Sequence, residues 1–136
     1  MIVLVDTDVL LDVALDRAPH ADAAARLLDT LEERPGTAFM AWHSIANFYY
    51  LCVPARGRGS AREFVRELSG FVAVAPTTTD DLRYAVQLPR RDFEDALQVA
   101  AAVACRADVI ATRNVRDYKR APIKAVTPAA LLTRWP

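Results

Sequence analysis

Two aspartates, Asp6 and Asp8, stand two residues apart where an apolar run ends. That run, Met1-Ile2-Val3-Leu4-Val5, reads as a short buried strand. Open parallel α/β sheets hold their ligands at the carboxyl ends of their strands, where Asp6 falls. Two carboxylates at such a turn are costly unless a positive charge lies between them. A divalent metal meets that need, because carboxylate oxygens are its preferred ligands. The plain structural alternative is that Asp8 caps the next helix and Asp6 is a turn residue.

A second acidic segment, Arg90-Arg91-Asp92-Phe93-Glu94-Asp95-Ala96, opens an Ala-rich helix expected over 92–105. At about 100° per residue, Phe93, Ala96, Leu97, Ala100, Ala101 and Ala104 form one apolar face. Asp95 heads a row with Val99, Ala102 and Val103. Glu94 heads a more polar row with Gln98 and Cys105. This arrangement predicts an inward Asp95 and a solvent-facing Glu94. Asp92 also fits an N-cap with Asp95 at the third helical position, both favoured by the helix dipole. A third acidic segment, Thr112-Arg113-Asn114-Val115-Arg116-Asp117-Tyr118, follows another apolar run. Asn114 and Asp117, three residues apart, can share one face of a helical turn. Asp6, Asp95 and Asp117 are thus expected at one edge of the sheet. An oxygen-only acidic cluster suits Mg²⁺ or Mn²⁺ rather than Zn²⁺. Hard cations so held bind phosphate oxygens and activate water.

These residues need a frame that brings them together. Strands are expected at 2–5, 38–41, 72–74, 108–111 and 124–126. Helices are expected at 8–15, 20–33, 44–52 (stopped by Pro54), 60–68, 79–88 and 92–105, with a last one starting at Thr127-Pro128. Ser60 and Glu63 have capping-box spacing. Thr127 followed by Pro128 is an N-cap with proline at the first helical position. Alternation of this kind predicts an α/β fold, a central parallel sheet of four or five strands with helices on both faces. The 136 residues are expected to form a single domain, 1–136, and a hydrophobic content of 53% excludes disorder. No apolar run reaches the ~18 to 20 residues of a membrane span. Cys52 and Cys105 sit in apolar helical stretches without metal spacing and read as reduced core thiols, which fits a cytoplasmic protein.

The net charge is zero, but the basic residues cluster. Arg56, Arg58, Arg62 and Arg66 form one group, Arg90 and Arg91 another, and Arg113, Arg116, Lys119 and Arg120 a third. The last two adjoin the acidic segments, so a basic rim around an acidic pocket is expected to receive a polyanion. Solvated surface charge explains Arg62 and Arg66 equally well, beside Glu63 and Glu67. Tyr118 reads as a core aromatic or a base-stacking platform, and His20 and His43 as structural.

The order Asp6-Thr7-Asp8, Asp92-Phe93-Glu94-Asp95-Ala96, Thr112-Arg113-Asn114-Val115-Arg116-Asp117-Tyr118 and Val126-Thr127-Pro128 resembles the PIN domain from residue 2 to about 132. The resemblance implies a three-layer α/β/α fold and an Mg²⁺- or Mn²⁺-dependent ribonuclease. It also implies the toxin of a toxin–antitoxin pair, with a cognate antitoxin as partner and a homodimeric state. By resemblance Asp6, Asp95 and Asp117 are metal-binding and catalytic. Thr7, Asp8 and Asn114 orient them, and Arg90, Arg91, Arg113 and Arg116 hold RNA. The chain departs from the family at one place. A glutamate is usual on the helix after the second strand, whereas here Asn47 stands nearest that position. Asn47 is an uncharged candidate ligand, and Asp92 or Glu94 are candidates for the missing charge. Two other readings fit parts of the sequence. Val5-Asp6-Thr7-Asp8-Val9-Leu10 resembles the nucleophile motif of haloacid-dehalogenase-like phosphatases, and the Asn47 departure fits a catalytically weak RNA-binding module.

Overall fold

The computed structural model describes residues 1–135. Pro136, the last residue of the expected domain, lies outside them. Five short strands form one sheet: β1 (Val3–Val5), β2 (Ala38–Met40), β3 (Val72–Val74), β4 (Val109–Ala111) and β5 (Lys124–Val126). Their spatial order is β3-β2-β1-β4-β5, and every pairing is parallel. The helices are α1 (Thr7–Ala14), α2 (Ala21–Glu32), α3 (Trp42–Arg56), α4 (Arg58–Leu68), α5 (Thr79–Gln87), α6 (Phe93–Ala104) and α7 (Pro128–Arg134). A 3₁₀ turn, Val115–Tyr118, follows β4. No helix of the described residues is long and apolar enough to cross a membrane.

The two-residue period of the strands sorts side chains into two cores. Val3 and Val5 of β1 join Ala38, Met40, Val109 and Ala111 against α1, α2, α3, α4 and α7. Leu4 and Ile110 point the other way, onto Val99, Ala101 and Ala102 of α6, with Tyr84 and Leu88 from the α5 region at the margin. The result is three layers, helices on both faces of a parallel sheet, as the alternation of elements predicts. Both cysteines are buried and free.

Several helix starts and ends differ from expectation, those of α3, α4 and α1 most informatively. Helix α3 does not stop before Pro54 but runs through it to Arg56. Its apolar side is anchored by buried Phe48 and Cys52, and Arg56 Nη1 donates to the Ala14 carbonyl at 2.9 Å, which holds the last turn in place. Gly57 then ends α3 and starts α4 with φ +82°, a conformation that a side chain would strain. Because Gly57 occupies the N-cap, Ser60 lies inside α4 and forms no capping box with Glu63. A capping box does exist on α5, between Thr78 and Asp81. At α1 the N-cap is Asp6, whose side chain accepts from the Thr7 N–H, and Asp8 sits in the first turn. Asp92 caps α6 and Thr127 caps α7, as their spacing predicts.

Candidate active site

Chain order places β2 and β3 on one side of β1, and β4 and β5 on the other. The direction of winding therefore reverses between β1 and β4, which opens a crevice beyond their carboxyl ends. Asp6 directly follows β1 there and Thr112 directly follows β4. The backbone fixes Asp6 further, since its N–H donates to the Ala111 carbonyl at 3.0 Å.

The Asp6 carboxylate is 8% exposed and accepts from four directions. Oδ1 accepts from the Thr7 N–H at 2.8 Å and from Gln98 Nε2 at 3.0 Å. Oδ2 accepts from Thr112 Oγ1 and from the Tyr118 hydroxyl, each at 2.9 Å. Thr7 Oγ1 donates to Ser44 Oγ at 2.9 Å, and Gln98 Nε2 also donates to that oxygen at 2.8 Å. Residues from α1, α6, the end of β4 and the 3₁₀ turn thus meet at one carboxylate, and Ser44 of α3 joins the network through Thr7 and Gln98. Burial pushes the Asp6 carboxyl above its usual range, opposed by the Thr112, Tyr118 and Thr7 donors.

Asp8 sits beside this group. Its Oδ2 accepts from Thr112 Oγ1 at 3.2 Å, the Arg113 N–H at 3.1 Å and Asn114 Nδ2 at 3.0 Å. Its Oδ1 is buried without a hydrogen-bond partner. Burial, followed by the Asp6 charge, pushes its pKa up to about 7. Asp95 is pushed up to about 6 by burial and then by the charges of Asp92, Asp117, Asp6 and Glu94. The 3₁₀ turn is fixed from two sides. Tyr118 reaches Asp6, and Arg90 donates to the carbonyls of Asp117 at 3.0 Å and Lys119 at 3.3 Å. Burial, then the charge of Asp6 and its hydrogen bond, hold the Tyr118 phenol above its ordinary value.

The expected acids Asp6, Asp95 and Asp117 are linked through Asp95, which feels the charges of the other two. The charges of Asp92, Asp117, Asp6 and Glu94 reach the Asp95 carboxyl, that of Glu94 reaches Asp6, and that of Asp6 reaches Asp8. The ion pairs of the described residues join Asp12 to Arg17 and Arg113, Glu63 to Arg66 and Asp80 to Arg83; none involves this group. Among the described residues, no three His, Cys, Asp or Glu side chains close into a ready metal cage. The donor chemistry still fits a hard divalent cation: every candidate atom is oxygen, the charges repel, and Asp8 Oδ1 is an orphaned buried acceptor.

Several expectations need correction. The Glu94 row does not face solvent: Gln98 is 0% exposed and Cys105 is buried. The reason is that this row docks over the end of β1, where Asp6 and Ser44 satisfy the amide nitrogen. Phe93 belongs to no buried face, at 47% exposure, and Val103 of the Asp95 row is exposed as well. Arg113 is not free to hold a polyanion. Its Nε and Nη2 donate to Asp12 at 3.1 and 3.2 Å, and Asp12, 1% exposed, also accepts from Arg17 Nε at 2.9 Å. Arg90 is spent on the Asp117 and Lys119 carbonyls, whereas Arg91 and Arg116 remain exposed. Asn47 is half-buried one turn beyond Ser44, and Ser44 is the α3 residue that reaches the Asp6 network. Tyr118 is buried, but as a donor to Asp6 rather than a plain core aromatic or a stacking platform. Sequence reasoning does not single out Gln98, Ser44, Thr112 and Tyr118 for such contacts. The one available signal is a lone glutamine in an otherwise Ala- and Val-rich helix.

A family model described as the PIN domain matches residues 2–116. The chain belongs to the PIN domain family. No curated protein matches it in sequence. Among solved structures, this PIN domain resembles Mycobacterium tuberculosis VapC20, described as a sarcin–ricin loop cleaving toxin. The TM-score is 0.70 at 19% identity, over 89% of this chain and 95% of that one. VapBC2 from Rickettsia felis, bound to a DNA fragment from its promoter, gives 0.70 at 16% identity, over 93% and 98% of the two chains. FitAcB from Neisseria gonorrhoeae gives 0.60 at 17% identity, over 94% and 99%. These likenesses establish the shared PIN fold.

Proposed function

We propose that this PIN domain is a Mg²⁺- or Mn²⁺-dependent endoribonuclease acting as the toxin of a toxin–antitoxin pair. The observation that carries the reading is Asp6. It is a four-donor carboxylate at the switch point of the sheet, among acids that form no ion pair with the described basic side chains. Asp6, Asp95 and Asp117 would hold the cation, with Asp92, Glu94 and Asn47 as further oxygen donors. When bound, a divalent cation offsets the carboxylate and phosphate charges and acidifies water. The chain's own contribution is orientation. The Thr7 N–H, Thr112, Tyr118 and Gln98 fix both oxygens of Asp6, and Asn114 and the Arg113 N–H fix Asp8. In the reaction a water oxygen bonds to phosphorus and the opposite P–O bond breaks. One fragment carries the phosphate and the other a hydroxyl. Exposed Arg91 and Arg116 would bind flanking phosphates.

The toxin reading rests on the family match and on the VapC20, VapBC2 and FitAcB likenesses. An exposed apolar groove of about 990 Å³ between α3 and α4, lined by Trp42, Ile45, Tyr49 and Tyr50, offers surface for an antitoxin. Leu82 and Val86, exposed on α5, offer surface for a second copy in a homodimer. The family match favours this reading over the phosphatase alternative.

The test is cleavage of single-stranded RNA by the purified chain with Mg²⁺ or Mn²⁺, with EDTA, and as the Asp6→Asn and Asp95→Asn variants. Cleavage that EDTA and both variants abolish is expected. Metal-independent cleavage, or none with any RNA, refutes the reading. Hydrolysis of a small phosphomonoester instead supports the phosphatase.

A further inference from the structure

Gln98 is fully buried, yet it carries an amide. Its neighbours along α6 at buried positions are Ala96, Val99, Ala100, Ala101 and Ala102. Nε2 donates to Asp6 Oδ1 and to Ser44 Oγ and stands 3.4 Å from Thr7 Oγ1. Oε1 is buried with no hydrogen-bond partner. A glutamine here therefore gives up its hydration and leaves one acceptor unsatisfied, both unfavourable for folding. Methionine or leucine would fill a similar volume at neither cost, and Asp6 Oδ1 would keep the Thr7 N–H. Packing thus gives no reason for an amide at this position.

Its position gives one. Gln98 comes from the helix layer on one face of the sheet and Ser44 from the layer on the other, and they meet over the carboxyl end of β1. Helix α3 brings no carboxylate to this place; its hydrogen bonds to the network come from the Ser44 hydroxyl. Among the described residues the amide is the one side-chain donor to Asp6 Oδ1, and Ser44 fixes the amide's other proton. An ionised carboxylate requires the nitrogen, not the oxygen, to face it.

We propose that Gln98, seated by Ser44, is a positioning residue that sets the orientation of the Asp6 carboxylate for cation binding at a cost in stability. The inference rests on the cation site proposed above. Partners that orient a metal-ligating group typically change metal affinity by about 10- to 100-fold when removed. The experiment compares Mn²⁺ binding, by titration calorimetry, with melting of the metal-free protein. It uses wild type, Gln98→Met, Gln98→Leu and Asp6→Asn. Gln98→Met is expected to melt at or above the wild-type temperature without metal and to bind Mn²⁺ about tenfold more weakly. If it fails to fold, Gln98→Leu carries the same comparison. Wild-type affinity in the folded apolar variant overturns the proposal and leaves Gln98 a packing residue. Lack of Mn²⁺ binding by the wild type, or binding that survives Asp6→Asn, overturns the cation site itself and this inference with it.

Discussion

Replacing Asp8 by asparagine tests whether the site stores repulsion. The free Asp8 carboxyl has an ordinary pKa of 3.8 and is pushed up to about 7 in the fold, by burial and by the Asp6 charge. The native state therefore binds this proton more tightly than the unfolded chain. Between about pH 4 and pH 7 the native state carries the extra proton, so stability falls as pH rises through that window and levels off above it. At about 1.4 kcal/mol per pKa unit, the ionised Asp8 costs on the order of 4 kcal/mol, an upper bound shared with Asp6. An asparagine in its place would carry no charge. The new amide oxygen can still accept from the Arg113 N–H and Asn114, and the new amino group can occupy the place of the unpartnered Oδ1. Asp8→Asn should therefore stabilise the metal-free protein by about 2 kcal/mol at pH 8, or roughly 6–8 °C in melting temperature. The two proteins should converge near pH 4. Half-buried His43 has a lowered pKa and acts in the opposite sense, gaining stability as pH rises through the usual histidine range. His43 is common to both proteins, so the difference between their pH–stability curves removes its effect. Calorimetric melting from pH 4 to pH 8 without metal gives both curves. A difference that does not grow with pH, or an Asp8→Asn protein less stable than wild type at pH 8, refutes the stored repulsion.

Two further outcomes are expected. Neutralising Arg91 and Arg116 together should flatten the log–log salt dependence of RNA binding by about 1.4, two phosphate contacts at roughly 0.7 each; an unchanged slope in filter binding places the RNA elsewhere. Asp12→Asn leaves Arg17 and Arg113 without their shared buried carboxylate. Both arginines are partly exposed, so the loss should be about 2–3 kcal/mol, below the roughly 3–5 of a fully buried pair; an unshifted urea midpoint shows that the triad contributes nothing.

The sequence carries the sheet well, because each strand is a brief apolar run bounded by a polar turn, and the alternation with helices admits one kind of layering. It carries the acids well too, since carboxylates without cationic partners are conspicuous in type and spacing. What it hides is who orients them. A helical wheel sorts side chains by polarity and sends the polar row toward water, so Gln98 and Glu94 read as surface. The fold docks that row over another polar group, and the amide nitrogen is satisfied inside. Arg113 misleads in the same way, since its partner Asp12 lies 101 residues earlier and no local pattern links them. Helix ends fail where tertiary contacts override a local stop signal, as the Arg56 bond to Ala14 does beyond Pro54.

The reversal of winding between β1 and β4 also sets the order in which the protein becomes competent. Asp6 precedes its side-chain donors Gln98, Thr112 and Tyr118 by 92, 106 and 112 residues. The β1–β4 pairing is correspondingly remote in sequence, the kind of contact that forms late. A growing chain therefore exposes its central acid long before these three side chains orient it. The delay is a built-in latency: no nascent chain short of the 3₁₀ turn holds all four donors to Asp6, because Tyr118 is the last of them to be made.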